Sequence, residues 1–431
     1  MKTTIAAALA LLLTSAALPA LAQPLEPTAR KAAVEQAAKA LREQYVEPSV
    51  GAATAEKITA AEAAGAYAHL TDVQAFAKQI SADMAEVAHD GHLRVVTRNG
   101  PPPPGAQGGP PPRSEAGVVR ADRLAGDVGY LEVVGFPPGA VFKPAIDKAM
   151  SQIADCKALI VDLRRNGGGE PEAVAYLVSF FVPGDKPVHV NDLIWRNPGT
   201  ETFRTEAFWT EKTPVRFTGK PVYLLTSKQT FSGGEEFAYD LQAMKLAKLV
   251  GETTGGGANP GGITPMGGEL ALFLPSGKAR NPITDDNWEG RGVRPDLATS
   301  SADALKAALK ALGQSPAAGD IEGLSKARLF TPRTIAQTGS EAAVRRSVEE
   351  IVRGEPDYAR MTPELAEATR AQAGGMRQML SGMGPLKSVT FREVNPIGAD
   401  VYDVVFEKGA LRWMIVLAPD GRTALASFRP A

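Results

Sequence analysis

A chain of 431 residues with a single cysteine, Cys156, and only four histidines has few ways to hold a metal or a redox group. One thiol excludes an intrachain disulfide framework, a Cys-rich zinc site and an iron–sulfur cluster. Cys156 reads as a small buried apolar residue. No H-E-x-x-H motif occurs, and His89 and His92, at i and i+3, have no evident third ligand. An excess of one charge is also missing: 47 Lys and Arg stand against 48 Asp and Glu. That balance gives no overall field to hold nucleic acid or an anionic membrane surface. No apolar run approaches the roughly 20 residues that a bilayer span needs. The S-x-x-K motif is absent too, which removes the usual penicilloyl-enzyme chemistry. What remains is ordinary globular usage, 44% hydrophobic and 22% charged. The length is about three times the ~150-residue prior for one domain, so two or three folded units are expected.

Residues 1–22 combine an early Lys2, an apolar run from Ile5 to Leu13, and Ala20-Leu21-Ala22 before Gln23. This is the pattern of a cleaved secretory signal, and it predicts export to a bacterial periplasm. From 23 to 97 the chain is Ala-rich with helical spacing, as in Val73, Phe76, Ala77, Ile80 and Met84, and reads as a small helical domain. Residues 98–116 hold the run NGPPPPGAQGGPPPR, a Pro/Gly-rich loop. From 117 to 312 strand patterns alternate with helices: VGYLEVV (128–134), a helix near 142–154, ALIVDL (158–163), a helix from 171, PVYLLT (221–226) and a helix from 233 to about 247. That order argues an α/β core. After a linker at 313–325, residues 326–431 show helices near 341–353 and 362–380, alternation at Leu411, Trp413, Ile415 and Leu417, and a hairpin turn at Asp420-Gly421. This is a third unit, of α+β type.

The segment PVYLLTSKQTFSGGEEFAYDLQAM sets Ser232 between a buried strand and an amphipathic helix. Ser232 with Glu235 fits the capping box S-x-x-E, a structural device. Gly233-Gly234 in the first turn is unfavourable for a helix, yet it lets a substrate approach and leaves the Gly233 N–H free to donate to an oxyanion. The spacing suits a nucleophile elbow, although Thr230 replaces the first glycine of G-x-S-x-G. A second cluster, Gly167-Gly168-Gly169, follows the strand ALIVDL. A dinucleotide or phosphate role fails there, because G-x-G-x-x-G is not satisfied and Glu170 and Glu172 would repel a pyrophosphate.

DLRRNGGG, TSKQTFSGGEEFAYDLQ, GETTGGG (251–257) and WEGRGVRPD (288–296), in that order, resemble the tail-specific, or C-terminal-processing, serine peptidase family. The resemblance covers residues 118–312. It implies a crotonase-like α/β spiral core with Ser232 as nucleophile, and the N–H groups of Gly233 and Gly168 as oxyanion hole. Where the tail-specific branch carries a lysine base, GETTGGG has Thr253, and Lys245 and Lys248 lie roughly 20 Å or more along the helix from Ser232. No room is left for a PDZ domain. The chain therefore looks more like the tricorn and interphotoreceptor retinoid-binding-protein branch, which uses serine, histidine and glutamate. His92, in the D-G-H motif at 90–92, and Glu289 match those positions.

The implied enzyme is a serine endopeptidase acting on peptides or unfolded protein segments, with no cofactor, no metal, no nucleic-acid partner and no membrane span. A histidine base predicts a step in activity near pH ~6.5. A non-catalytic protein binding a hydrophobic ligand on the same fold is the alternative. Residues 326–431 resemble a ketosteroid-isomerase-like accessory cone, on layout and on Ala399-Asp400-Val401-Tyr402 and Leu411-Arg412-Trp413.

Overall fold

The computed structural model describes residues 24–97, 114, 116–314, 325–328, 333–395, 398–418 and 420–431. The expected signal at 1–22 lies outside the described residues, as do the expected loop 98–116 apart from Ser114 and Ala116, and most of the expected linker 313–325.

Helices α1 (Pro27–Gln44), α2 (Pro48–Ala63) and α3 (Val73–Ala88) form the N-terminal region. Proline opens α1 and α2, where its missing N–H would be unpaired anyway. Asp72 caps α3 by accepting from the Ala75 N–H at 2.7 Å. Phe76, Ala77, Ile80 and Met84 face inward, as their spacing predicts. The helices do not close a core by themselves. Strand β1 (Arg94–Thr97) pairs antiparallel with the segment 270–273, and the helical face packs on Met266, Leu270, Leu272 and Leu274. The unit expected at 23–97 thus takes one wall from far along the chain.

The central unit runs through β2 (Val118–Leu124), β3 (Val128–Val133), α4 (Gly139–Ile153), β4 (Ala158–Asp162), α5 (Pro171–Val178), β5 (His189–Arg196) and β6 (Phe203–Trp209). It continues with β7 (Val222–Thr226), α6 (Gly233–Ala243), β8 (Lys248–Gly251), β9 (Gly261–Gly267), β10 (Leu270–Pro275), β11 (Gly277–Arg280), β12 (Leu297–Ala298) and α7 (Ala304–Ala311). With β13 (Ser325–Arg328), it builds a sheet of order β12-β8-β7-β4-β3-β2-β13. Strands β3, β4, β7, β8 and β12 are parallel; β2 pairs antiparallel with β3, and β13 antiparallel with β2. Residues of β3 and β4 are buried throughout, because α4, α5 and α6 cover one face and α7 the other. Two small sheets, β1-β10-β9 and β11-β5-β6, stand beside the large one.

The last unit packs α8 (Ser340–Arg353) and α9 (Pro363–Gly382) on an antiparallel sheet of β14 (Leu386–Val394), β15 (Asp400–Phe406), β16 (Gly409–Leu417) and β17 (Thr423–Pro430). Leu411, Trp413, Ile415 and Leu417 alternate into its core as expected. Ala418 and Ala424, at the β16–β17 turn, pack against the central unit.

Candidate active site

Ser232 sits where β7 gives way to α6, at the carboxyl end of a parallel strand. The turn before it is tied down by two hydroxyl bonds: Thr230 Oγ1 accepts the Ser227 N–H at 3.0 Å and donates to the Leu163 carbonyl at 2.8 Å. The Phe231 N–H donates to the Asn166 carbonyl at 3.0 Å, joining this turn to the glycine turn after β4. Ser232 adopts φ 54°, ψ −123°. Such a backbone costs roughly 1–3 kcal/mol for a residue with a β-carbon and is the conformation that projects the nucleophile from an elbow.

Glu235 does more than cap a helix. Its carboxylate accepts the Ser232 N–H at 2.9 Å, the Gly256 N–H at 2.6 Å, the Gly257 N–H at 2.8 Å and the Thr254 hydroxyl. One buried side chain therefore clamps the GETTGGG loop to the nucleophile's backbone. Desolvation pushes its pKa up to about 7 despite these donors.

The glycine turn meets Ser232 directly. A β-carbon on Gly168, which has φ +100°, would lie 2.7 Å from Ser232 Cβ and 2.9 Å from the Gly233 nitrogen. Only glycine fits there. The Gly168 N–H, expected in the oxyanion hole, donates to Asn166 Oδ1 at 2.9 Å. The next residue, Gly169, lies against Gly233: a β-carbon on Gly233 would be 3.2 Å from the Gly169 nitrogen. Among the described residues neither the Gly169 nor the Gly233 N–H has an acceptor.

His92 follows the end of α3 and is 5% exposed. Its ring packs on Phe231, with centroids 4.5 Å apart, and stacks on Phe273 at 5.6 Å. A β-carbon on Gly257 would stand 2.7 Å from His92 Cε1, so the GETTGGG loop also abuts the imidazole. One donor atom each of Asp90, His92 and Glu289 lies within 4.8 Å of the others. Asp90 is already occupied: it accepts the His92 N–H at 2.8 Å, the Tyr45 hydroxyl at 3.0 Å and the Asn259 amide at 2.9 Å. This makes it an anchor for the D-G-H turn more than an open metal ligand. His92 Nδ1 and Glu289 Oε1 are both buried and lack partners among the described residues. Glu289 spends its other oxygen on the Ala258 N–H. His89, by contrast, is exposed at the α3 C-terminus and takes no part.

Burial dominates the electrostatics. It lowers the His92 pKa to about 3, helped by Arg94, so the imidazole is neutral at physiological pH. Burial, with the Asp90 charge, raises Glu289 to about 8. A neutral imidazole, a strained serine and two neighbouring N–H groups without acceptors among the described residues are the parts that acyl transfer uses.

Residues 127–299 match the model of peptidase family S41, and residues 8–116 match the N-terminal domain of peptidase S41 in eukaryotic IRBP. The chain is a serine-type peptidase with a family S41 domain. A candidate peptidase from Parabacteroides merdae ATCC 43184 is similar over 66% of this chain and 96% of its own, at 18% identity and TM-score 0.50, which shows a shared fold. The photosystem II D1 C-terminal processing protease aligns over 63% of this chain and 93% of its own, at 13% identity and TM-score 0.41. The tricorn protease aligns over 66% of this chain and 36% of its own, at 14% identity and TM-score 0.41.

Thr253, Lys245 and Lys248 are all exposed. The sequence reading missed the position of Gly169, the tie through Asn166 and the anchoring of Asp90 by Tyr45 and Asn259. Asn166 and Gly169 lie inside the DLRRNGGG motif, so the signal was present without its geometry. Tyr45 and Asn259 carry no local signal, because only the tertiary fold brings them to Asp90.

Proposed function

We propose that this S41 peptidase is an exported endopeptidase that cleaves peptides or unstructured protein segments through an acyl-enzyme on Ser232, with His92 as base and Glu289 as its acidic partner. The observation that carries this reading is the placement of a buried neutral His92 against Phe231, the neighbour of Ser232, with a ring nitrogen within 4.8 Å of a Glu289 carboxylate oxygen. His92 takes the Ser232 proton as Oγ attacks the scissile carbonyl, and ionised Glu289 stabilises the imidazolium. The Gly233 and Gly169 N–H groups receive the oxyanion; the imidazolium then protonates the leaving amine. Water deacylates the serine by the same route.

Export rests on the pattern of residues 1–22. Among the described residues no helix is long and apolar enough to cross a membrane. The hydrophobic-ligand alternative finds little support: the cavity beside Ser232 measures about 40 Å³, and the 660 Å³ cavity elsewhere is lined by charged groups such as Arg120, Glu132, Asp162 and Arg164. The test is labelling by a fluorophosphonate probe, with the modified peptide mapped. Modification of Ser232 alone is the expected result; no labelling, together with no cleavage of an unfolded protein, would reject the reading.

A further inference from the structure

The small cavity of about 40 Å³ touches Ser232, Gly233 and Gly169, and its walls include Leu193, Ala279 and Trp288. A substrate whose carbonyl carbon meets Ser232 Oγ and whose oxygen meets those N–H groups must put the side chain preceding the cut beside them. Glu236 also lines this cavity. It lies four residues after Ser232, about one helical turn or ~6 Å along α6, and helical side chains lean back toward the N-terminus. The residue is 5% exposed, and its Oε1 has no partner among the described residues. Behind it stand Asp240, whose Oδ2 is unpaired, and Asn191, whose side chain is close enough to Glu236 to favour its charged form. Asp240 Oδ1 is held by the Asn281 amide at 2.8 Å. No Lys or Arg forms an ion pair with Glu236 or Asp240 among the described residues. Burial raises the pKa of Glu236 to about 8, so its carboxyl group is mostly protonated at neutral pH and can donate as well as accept.

Buried polar atoms are normally satisfied, and one left open beside a nucleophile marks where a ligand group completes the network. The space holds about three water-sized spheres at roughly 10–15 Å³ each, room for a side chain of about three heavy atoms. We propose, on the basis of the serine-peptidase reading above, that Glu236 forms the floor of the pocket for the residue preceding the cut and selects a short hydroxyl side chain, serine above all. Alanine fills the same space but leaves the carboxyl unpaired. Branched apolar and long basic side chains exceed the space.

The test uses the full-length protein and a set of fluorogenic peptides that differ only at the residue before the cut: Ser, Ala, Leu or Lys. The expected kcat/KM for Ser exceeds that for Ala by about tenfold, the size of one hydrogen bond to an otherwise unpaired buried group. Glu236→Leu should bring the Ser-to-Ala ratio close to one, whereas Glu236→Gln, which keeps a hydrogen-bonding tip, should retain most of it. Because the readout is a ratio within one variant, a change in the amount of folded protein does not affect it. A wild-type ratio near one, a preference for Leu or Lys, or an unchanged ratio in Glu236→Leu would overturn the pocket assignment while fluorophosphonate labelling of Ser232 still upheld the peptidase. Absence of both labelling and cleavage would overturn both.

Discussion

The imidazole of His92 rests on the ring of Phe231, 4.5 Å between centroids, so the base proposed for this enzyme is packed against the residue that precedes its nucleophile. This contact joins two distant segments, since Ser232 follows β7 and His92 follows α3. Residues that act as a unit are strongly non-additive. Ser232→Ala and His92→Ala should each reduce turnover of an unfolded protein by several powers of ten, and the double variant should lose little more. Equal, multiplying losses in steady-state assays would separate the two residues mechanistically.

The pH profile should depart from that of an ordinary histidine. With His92 depressed to about 3, no rise is expected around pH 6.5; of the proposed triad, the group still to ionise is Glu289, raised to about 8 by burial and by Asp90. Free-enzyme kcat/KM should therefore climb through about pH 8. Asp90→Asn removes a charge that pushes Glu289 upward, so the step should move to lower pH, which a kcat/KM titration of that variant would show.

Stability should run the opposite way. Glu235, Glu236 and Glu289 have folded-state values of about 7, 8 and 8, above the ordinary carboxylate value of 4.5. A raised carboxyl holds its proton more tightly when folded, so its stabilisation is complete below 4.5 and is lost as pH rises through the folded value. His92 contributes nothing to this trend above pH 6.5, where it is neutral folded and unfolded alike. The melting temperature should fall between pH 6.5 and 8.5, and Glu289→Gln should flatten the fall in calorimetric scans.

The close approach at the glycine turn gives a more local prediction. In Gly168→Ala the new methyl would stand 2.7 Å from Ser232 Cβ, on a backbone at φ +100°. Displacing the serine from its N–H donors should lower kcat by about 10²–10³-fold, the range seen when oxyanion stabilisation is lost. KM should change far less, and fluorophosphonate labelling of Ser232 should slow in parallel.

Most of the central unit was legible because its signals are local. VGYLEVV, ALIVDL and PVYLLT became β3, β4 and β7 within a residue or so, since strands buried on both faces are continuous apolar runs. The helix expected to reach about residue 247 stops at Ala243 because Lys245, at φ +58°, turns the chain into β8. The strands β5, β6 and β9 of the small sheets were not anticipated: β6 is almost wholly exposed, and β9 is rich in glycine, so neither shows a clear alternation. At the site, residue types and order pointed to Ser232, His92 and Glu289, which the fold gathers around Phe231 and Gly257. That the Gly168 N–H is taken up by Asn166 Oδ1 did not follow, because it depends on how the Asn166 side chain folds back on the turn.

The ladder that pairs Arg94 with Phe273 has a consequence for how the enzyme is made. A ribosome delivers His92 early, Ser232 later, and β10 and Glu289 later still. Until the two ends of that ladder meet, the imidazole has no wall to hold it near the serine, and long-range strand pairing of this kind is slow to form. A chain that has just gained Ser232 thus carries the base proposed for it, but not the strand that walls that base in. On the proposed mechanism, cleavage becomes possible only once β10 and Glu289 have joined the fold.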